Sequence, residues 1–282
     1  MRILQTTAKK ISGLLGRESL FIRKLRPAYE SLLDLTAGGR GIPWEINGVT
    51  YRVDPRQRHR LGQNYDAPVA AFIREHIKPG ALCFDIGANV GVYVLQFAHW
   101  SGATGRVVAF EPNPGALKSL HRHIELNGLG ERVRVVPAAV GASAGKATLF
   151  ASGTAGMSRL GAPNKLIAAQ TKELSVTVVT LDEFCEAEGL EPDWLFLDIE
   201  GFEFAALEGA RRLIERRGDA LHIVVEMHSG VWESAGTSRA SADALLRELK
   251  LRAVPLTGQS DPLGDHGIVC LKQADVAKAT VL

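Results

Sequence analysis

The chain has 282 residues, 46% of them apolar, with a net charge of +2. That is enough apolar material for one sizeable core, so one large domain or one domain with an extension is expected. The near-neutral charge argues against a duplex nucleic acid partner, and no unbroken apolar run approaches the ~18–20 residues of a membrane span.

Residues 1–30 carry seven Lys/Arg against Glu18 and Glu30, and Ile11, Leu14, Leu15, Leu20, Phe21, Ile22 and Leu25 give a partly helical apolar face. A basic amphipathic helix can lie on an anionic membrane. Packing on its own domain or on a partner subunit is the commoner use and is the reading taken, which leaves a homo-oligomer open. The terminus shows no compact apolar stretch of the signal-peptide kind. Helical spacing over 14–36 ends at Ala37-Gly38-Gly39, a glycine stop. Asn47-Gly48 between Pro43-Trp44-Glu45-Ile46 and Val49-Thr50-Tyr51-Arg52-Val53 predicts a two-residue β-hairpin. Residues 1–60 are therefore expected to be a helix-and-hairpin extension, with the main domain over 61–282.

Pro68 to Ile77 reads as a helix leading into the first sheet strand. Strands are then predicted at 81–85, 106–111, 132–140, 194–198 and 221–227 with helices between them. Residues 251–256 and 267–272 are candidates for the last two strands. Such alternation implies a doubly wound, mainly parallel sheet. Residues 151–173, small, polar and glycine-rich at the start, are expected to be a long loop, functional or disordered. Cys83, Cys185 and Cys270 form no metal or disulfide pattern. Cys83 and Cys270 sit in apolar runs and read as buried thiols, in keeping with a reduced, cytoplasmic protein.

The most informative stretch is Phe84-Asp85-Ile86-Gly87-Ala88-Asn89-Val90-Gly91. An apolar strand runs into a glycine turn and then into the helical spacing of Tyr93-Val94-Leu95-Gln96-Phe97-Ala98. Gly87 and Gly91 let the backbone approach a ligand, and free N–H groups at the helix start would favour a polar or anionic part of it. One βα unit later, Glu111 ends the second strand, where a carboxylate can accept hydrogen bonds from both hydroxyls of a ribose. Simple helix capping by Asp85 and Glu111 is the plainer alternative. An NAD enzyme is disfavoured because Asn89 stands where its second glycine would fall.

Further along come Asn127-Gly128, Ala138-Ala139-Val140-Gly141, Thr180-Leu181-Asp182-Glu183, Leu197-Asp198-Ile199-Glu200-Gly201-Phe202-Glu203 and Val225-Glu226-Met227-His228. With Phe110-Glu111-Pro112-Asn113-Pro114 and the glycine turn, in this order, the chain resembles the FkbM family of S-adenosylmethionine-dependent methyltransferases. The resemblance runs from about Tyr65 to the last strand. The family often has Lys two residues before the aspartate of Asp-x-Glu-Gly; here that residue is Phe196. The resemblance implies a Rossmann-like class I methyltransferase fold, α/β, whose last strand is antiparallel to the rest. It also implies S-adenosylmethionine as cofactor and a hydroxyl acceptor on a sugar, polysaccharide, glycolipid or secondary metabolite. A nitrogen acceptor and a non-catalytic methyltransferase-like binding module are the alternatives.

On this reading Asp85, Gly87, Ala88, Asn89 and Gly91 hold the methionine portion, Glu111 the ribose, and Ala139, expected at the end of the third strand, lies near adenine. His228 is the expected base or acceptor orienter, with Asp198 sharing that duty. The plainer alternatives are that Asp198 caps the helix starting near Phe202 and that His228 is a surface loop residue. Asp198, Glu200 and Glu226 are hard oxygen ligands suited to Mg²⁺, but no metal is expected, because Glu200 and Glu203 can serve the helix N-terminus. His266 and the other histidines read as ordinary surface or core residues.

Overall fold

The computed structural model describes residues 20–151, 158–161 and 171–274. Helix α1 (Leu20–Thr36) stops at two left-handed glycines, Gly38 and Gly39 (φ 59° and 67°). The expected start of this helix at residue 14 lies outside the described residues. Strands β1 (Ile42–Ile46) and β2 (Val49–Val53) pair antiparallel across Asn47 and Gly48 (φ 48° and 81°), the positive-φ pair that a two-residue hairpin needs. Ile42, Ile46, Tyr51 and Val53 of the hairpin are buried in one apolar cluster with Val69 and Ile73 of α2 (Ala67–His76), with Cys83, and with Val94 and Phe97 further on.

The chain continues through β3 (Leu82–Ile86), α3 (Val92–Trp100), β4 (Arg106–Phe110), α4 (Pro114–Leu126) and β5 (Val133–Val136). The expected single strand over 132–140 is broken. Pro137 has no N–H to offer a ladder, and the chain turns there, with Ala138 N–H donating back to the Val136 carbonyl at 2.8 Å. Beyond the break the chain builds a second, four-stranded sheet: β6 (Ala139–Val140), β7 (Gly145–Ala151), β8 (Arg159–Leu160) and β9 (Lys172–Val179), in the order β6-β9-β7-β8. β7 and β9 bracket the segment expected to be a loop, and β8 lies within it. The remainder of that loop, 152–157 and 162–170, lies outside the described residues.

Then come α5 (Leu181–Glu188), β10 (Trp194–Leu197), α6 (Glu203–Glu208), α7 (Arg211–Arg217), β11 (His222–Met227), α8 (Arg239–Glu248), β12 (Leu251–Pro255) and β13 (Gly267–Gln273). The central sheet has seven strands in the order β12-β13-β11-β10-β3-β4-β5. β13 is antiparallel to both of its neighbours, and the β11-β10-β3-β4-β5 pairings are parallel. This is the Rossmann-like class I methyltransferase sheet with its antiparallel last strand. Every residue of β3 and β10 is buried, as strands covered on both faces require. Trp194 and Phe196 are core residues, 1% exposed each. The chain order reverses between β3 and β10, the switch point beyond which an open α/β sheet leaves a crevice.

Two glycines set the shape of that crevice. A Cβ on Gly87 (φ 90°) would sit 2.0 Å from the Asp198 carbonyl oxygen, and one on Gly91 (φ 92°) 2.7 Å from Leu120 Cδ1. The glycines thus let the turn press against the protein's own β10 end and α4. Behind the turn, fully buried His123 ties it to the hairpin: its Nδ1 donates to the Val90 carbonyl at 2.7 Å and its Nε2 accepts from Asp54 N–H at 3.1 Å. His123→Leu leaves both backbone groups unpaired at about 1–3 kcal/mol each. Urea denaturation should show a drop of that order.

Candidate functional site

A cavity of about 390 Å³ opens beyond the carboxyl ends of β3, β4, β10 and β11. Asp85, Gly87, Ala88, Asn89, Glu111, Ala139, Asp198 and His228, which the sequence singles out, all line this one cavity. Gly91 lies just outside, as the residue before α3. Ala139 does not end the third strand. It begins β6 and so belongs to the second sheet, because Pro137 ended the third strand early.

At one end, Asp85 belongs to the last turn-ward part of β3, and Asn89 (φ 47°) occupies the left-handed region that asparagine tolerates. Glu111 accepts the Asn89 N–H at 2.8 Å and the Asn113 N–H at 2.7 Å. The Gly87 and Ala88 N–H groups both donate to the Phe110 carbonyl at 3.0 Å, and Gly91 N–H to the Ala88 carbonyl at 2.7 Å. The expected free amides are therefore spent inside the loop. What the loop offers a ligand is acceptors: among the described residues, Asp85 Oδ2 and Asn89 Oδ1 are buried without a hydrogen-bond partner. Burial, reinforced by the neighbouring charge of Glu111, pushes the Asp85 pKa up to about 8. Burial also raises Glu111 to about 7, against the pull of the Asn113 and Asn89 amides.

At the other end, Asp198 follows β10 and His228 follows β11. No side chain caps α6, whose N-cap is Phe202, so Asp198 does not cap it; Glu203, the first residue of that helix, accepts the Gly201 N–H at 2.9 Å. Glu203 is fully buried and also accepts from His228 Nδ1 at 2.6 Å and Trp232 Nε1 at 3.1 Å. His228 is thereby held as the Nδ1–H form in its neutral state, with Nε2 3.8 Å from both Asp198 Oδ1 and Glu226 Oε1. It is not a surface loop residue: its side chain is 11% exposed. Burial works to lower the His228 pKa, but the hydrogen bond to Glu203 and the charges of Glu203, Asp198 and Glu226 outweigh it and raise the pKa to about 9. Burial, with Glu226 beside it, raises Asp198.

Several neighbours carried no signal in the sequence. Tyr93 stacks on Phe196 with ring centroids 3.8 Å apart, so the residue at the family's lysine position is an aromatic wall of the cavity. Tyr65 and Arg60 line it from the segment before α2. His266, read as ordinary, has Nε2 3.5 Å from Glu226 Oε1 and its ring 5.3 Å from that of His228. Glu226, His228 and His266 place ligand atoms within 4.8 Å of one another, a spacing that a cation could bridge. Glu226 and Phe196 are singled out in the sequence, and Glu203 is visible as the last residue of Asp-x-Glu-Gly-x-Glu.

The model of the FkbM methyltransferase domain matches residues 85–252, more than half of the chain. The chain belongs to the FkbM methyltransferase family. The cofactor of this FkbM methyltransferase is S-adenosylmethionine, and the cavity fits it: the unpaired Asp85 and Asn89 oxygens are acceptors for an ammonium and hydroxyls. No curated protein sequence matches the chain. Among solved structures, the chain is similar to an FkbM methyltransferase from Methylobacillus flagellatus at 15% identity and TM-score 0.44, covering 92% of this chain and 63% of that one. The chain thus spans under two thirds of that protein's length. An O-methyltransferase from Bacillus cereus in complex with SAH is similar at 15% identity and TM-score 0.43, covering 96% and 100%. An SAH-bound methyltransferase from Podospora anserina is similar at 12% identity and TM-score 0.43, covering 76% and 80%.

The raised Asp85 pKa has a signed consequence for stability. The folded state keeps a proton on Asp85 up to about pH 8 that the unfolded chain releases near the ordinary aspartate value of 3.8. Stability from this group is therefore present at low pH and lost as pH rises through that window. Asp85→Asn, which cannot ionise, should gain stability relative to wild type between about pH 5 and pH 8 in urea denaturation. A constant difference across that range would refute the burial of an ionisable carboxyl there.

Proposed function

We propose that this methyltransferase moves the S-adenosylmethionine methyl group to a hydroxyl on a sugar, polysaccharide, glycolipid or secondary metabolite. The observation that carries this reading is the union, in one cavity, of the glycine turn with Glu111 and of His228 held by a buried carboxylate. When bound, S-adenosylmethionine supplies a methyl group on a sulfonium. Glu111 binds its ribose, Asp85 and Asn89 its amino group through Gly87, Ala88 and Gly91 as the supporting turn, and Ala139 flanks adenine.

His228 and Asp198 act on the acceptor. His228 Nε2, between two carboxylates, receives the hydroxyl proton, and Asp198 orients the hydroxyl and balances the imidazolium. Glu203 positions His228 and holds its Nδ1 proton, as a carboxylate behind a catalytic histidine does. Phe196, Tyr93 and Tyr65 give an apolar wall that keeps water from the reacting centre. Ser158 and Leu160 line the same cavity from within the 151–173 segment, which supports that segment as part of the acceptor wall.

Two measurements test these roles. Glu111→Gln keeps the shape and weakens a charge-assisted contact worth about 1.5–3 kcal/mol. Calorimetric affinity for S-adenosylhomocysteine should fall at least about tenfold, and an unaltered Kd refutes the ribose assignment. In transfer of labelled methyl to cell-extract glycan and lipid fractions, His228→Ala should lose about 10²–10⁴ in turnover with cofactor binding kept. The acid limb of the wild-type rate profile should lie near pH 9, well above the usual histidine range near 6.5. Removing a negative neighbour lowers a histidine pKa, so Glu203→Gln should move that limb down. Full activity in His228→Ala contradicts the base; loss of wild-type activity on adding EDTA would favour a cation at Glu226, His228 and His266.

A further inference from the structure

Arg60 lines the cavity from the turn between β2 and α2, and its Nε is buried with no hydrogen bond among the described residues. The arginines just before it are paired: Arg56 with Asp54 at 2.8 Å and Arg58 with Glu30 at 3.6 Å. Burial lowers the Arg60 pKa, and no acidic neighbour offsets it. Arg60 is half-buried, but its Nε–H is withdrawn from water without an acceptor, a cost that a bound anion recovers. Apart from His228 it is, among the described residues, the one basic side chain on a lining that holds Asp85, Glu111, Asp198, Glu200 and Glu226. The same cavity leaves the Asp85 and Asn89 acceptors unpaired. A donor fork with an unpaired N–H and unpaired acceptors together complement a molecule that carries both an anion and a cation.

We infer that Arg60 is the anion-binding residue of this cavity and takes a carboxylate of the molecule bound there, by the fork geometry that guanidinium and carboxylate share. Two molecules can bring that carboxylate: the amino-acid end of S-adenosylmethionine, or an acidic acceptor such as a uronic acid. The inference rests on the cavity being the methyl-transfer site. It adds to that reading a residue outside the matched domain and contributed by the N-terminal extension.

The test is calorimetry on the full chain, comparing wild type with Arg60→Gln and with Arg60→Lys, each checked for folding by its thermal transition. If the carboxylate is the cofactor's, Arg60→Gln weakens S-adenosylhomocysteine at least tenfold but leaves decarboxylated S-adenosylhomocysteine and methylthioadenosine unchanged. Arg60→Lys, which keeps the charge and loses the fork, falls between. If it is the acceptor's, S-adenosylhomocysteine binds all three proteins alike, and D-glucuronate titrated into the wild-type complex gives a binding heat that Arg60→Gln abolishes. Arg60→Gln matching wild type with every probe overturns the inference. Should wild type bind no S-adenosylhomocysteine, the cofactor reading fails by itself. The glucuronate arm then decides Arg60 alone: binding that needs the arginine supports it, and no such binding overturns it.

Discussion

The architecture depends on one close approach. The turn after β3 presses its Gly87 backbone against the Asp198 carbonyl at the end of β10. Two adjacent parallel strands run in the same direction, so their carboxyl ends, and whatever side chains come next, emerge side by side. Any side chain at position 87 would pry them apart. The contact joins the turn after Asp85 that carries Asn89 to the loop that offers Asp198, and the two line one cavity. The helices and the hairpin act in support: His123 fixes the back of the turn to the segment after β2, and Leu120 of α4 fills the space that Gly91 leaves.

Charge inside the cavity is organised by burial. Burial holds Asp85 and Glu111 at the strand ends protonated to higher pH than usual. Three donors converge on Glu203, which makes it a fixed acceptor for His228. A ligand that brings positive charge and hydroxyl donors meets groups ready to release protons to bulk water and accept hydrogen bonds. This is how an acid-rich pocket in a nearly neutral protein suits a sulfonium cofactor.

Much of this was legible in the chain. Asn47-Gly48, the strand–turn–helix spacing at 84–98 and the acidic residues ending strands are local signals, each tied to a dihedral or a strand end. Asp198 and His228 were readable because each follows a buried apolar run. What was missed is non-local. β7 and β9 flank the segment read as a loop, and each mixes exposed with buried positions, so neither stands out as a strand until the two pair. Pro137, in the middle of an apolar stretch, diverted the third strand. His266 reaches His228 because β13 returns antiparallel beside β11, aligning Ile268 with Glu226 across a long sequence gap. Arg60 and Tyr65 stand in no motif, and only the folded hairpin and α2 bring them to the cavity.

If one cavity holds the cofactor at the glycine turn and aims its reactive end at His228 and Asp198, a crystal structure of the complex with S-adenosylhomocysteine will show it. The ribose hydroxyls are then expected on Glu111, with the sulfur facing the His228 side of the cavity. A sulfur turned away from His228 and Asp198, or a ligand bound outside the space between β3 and β10, would contradict that arrangement.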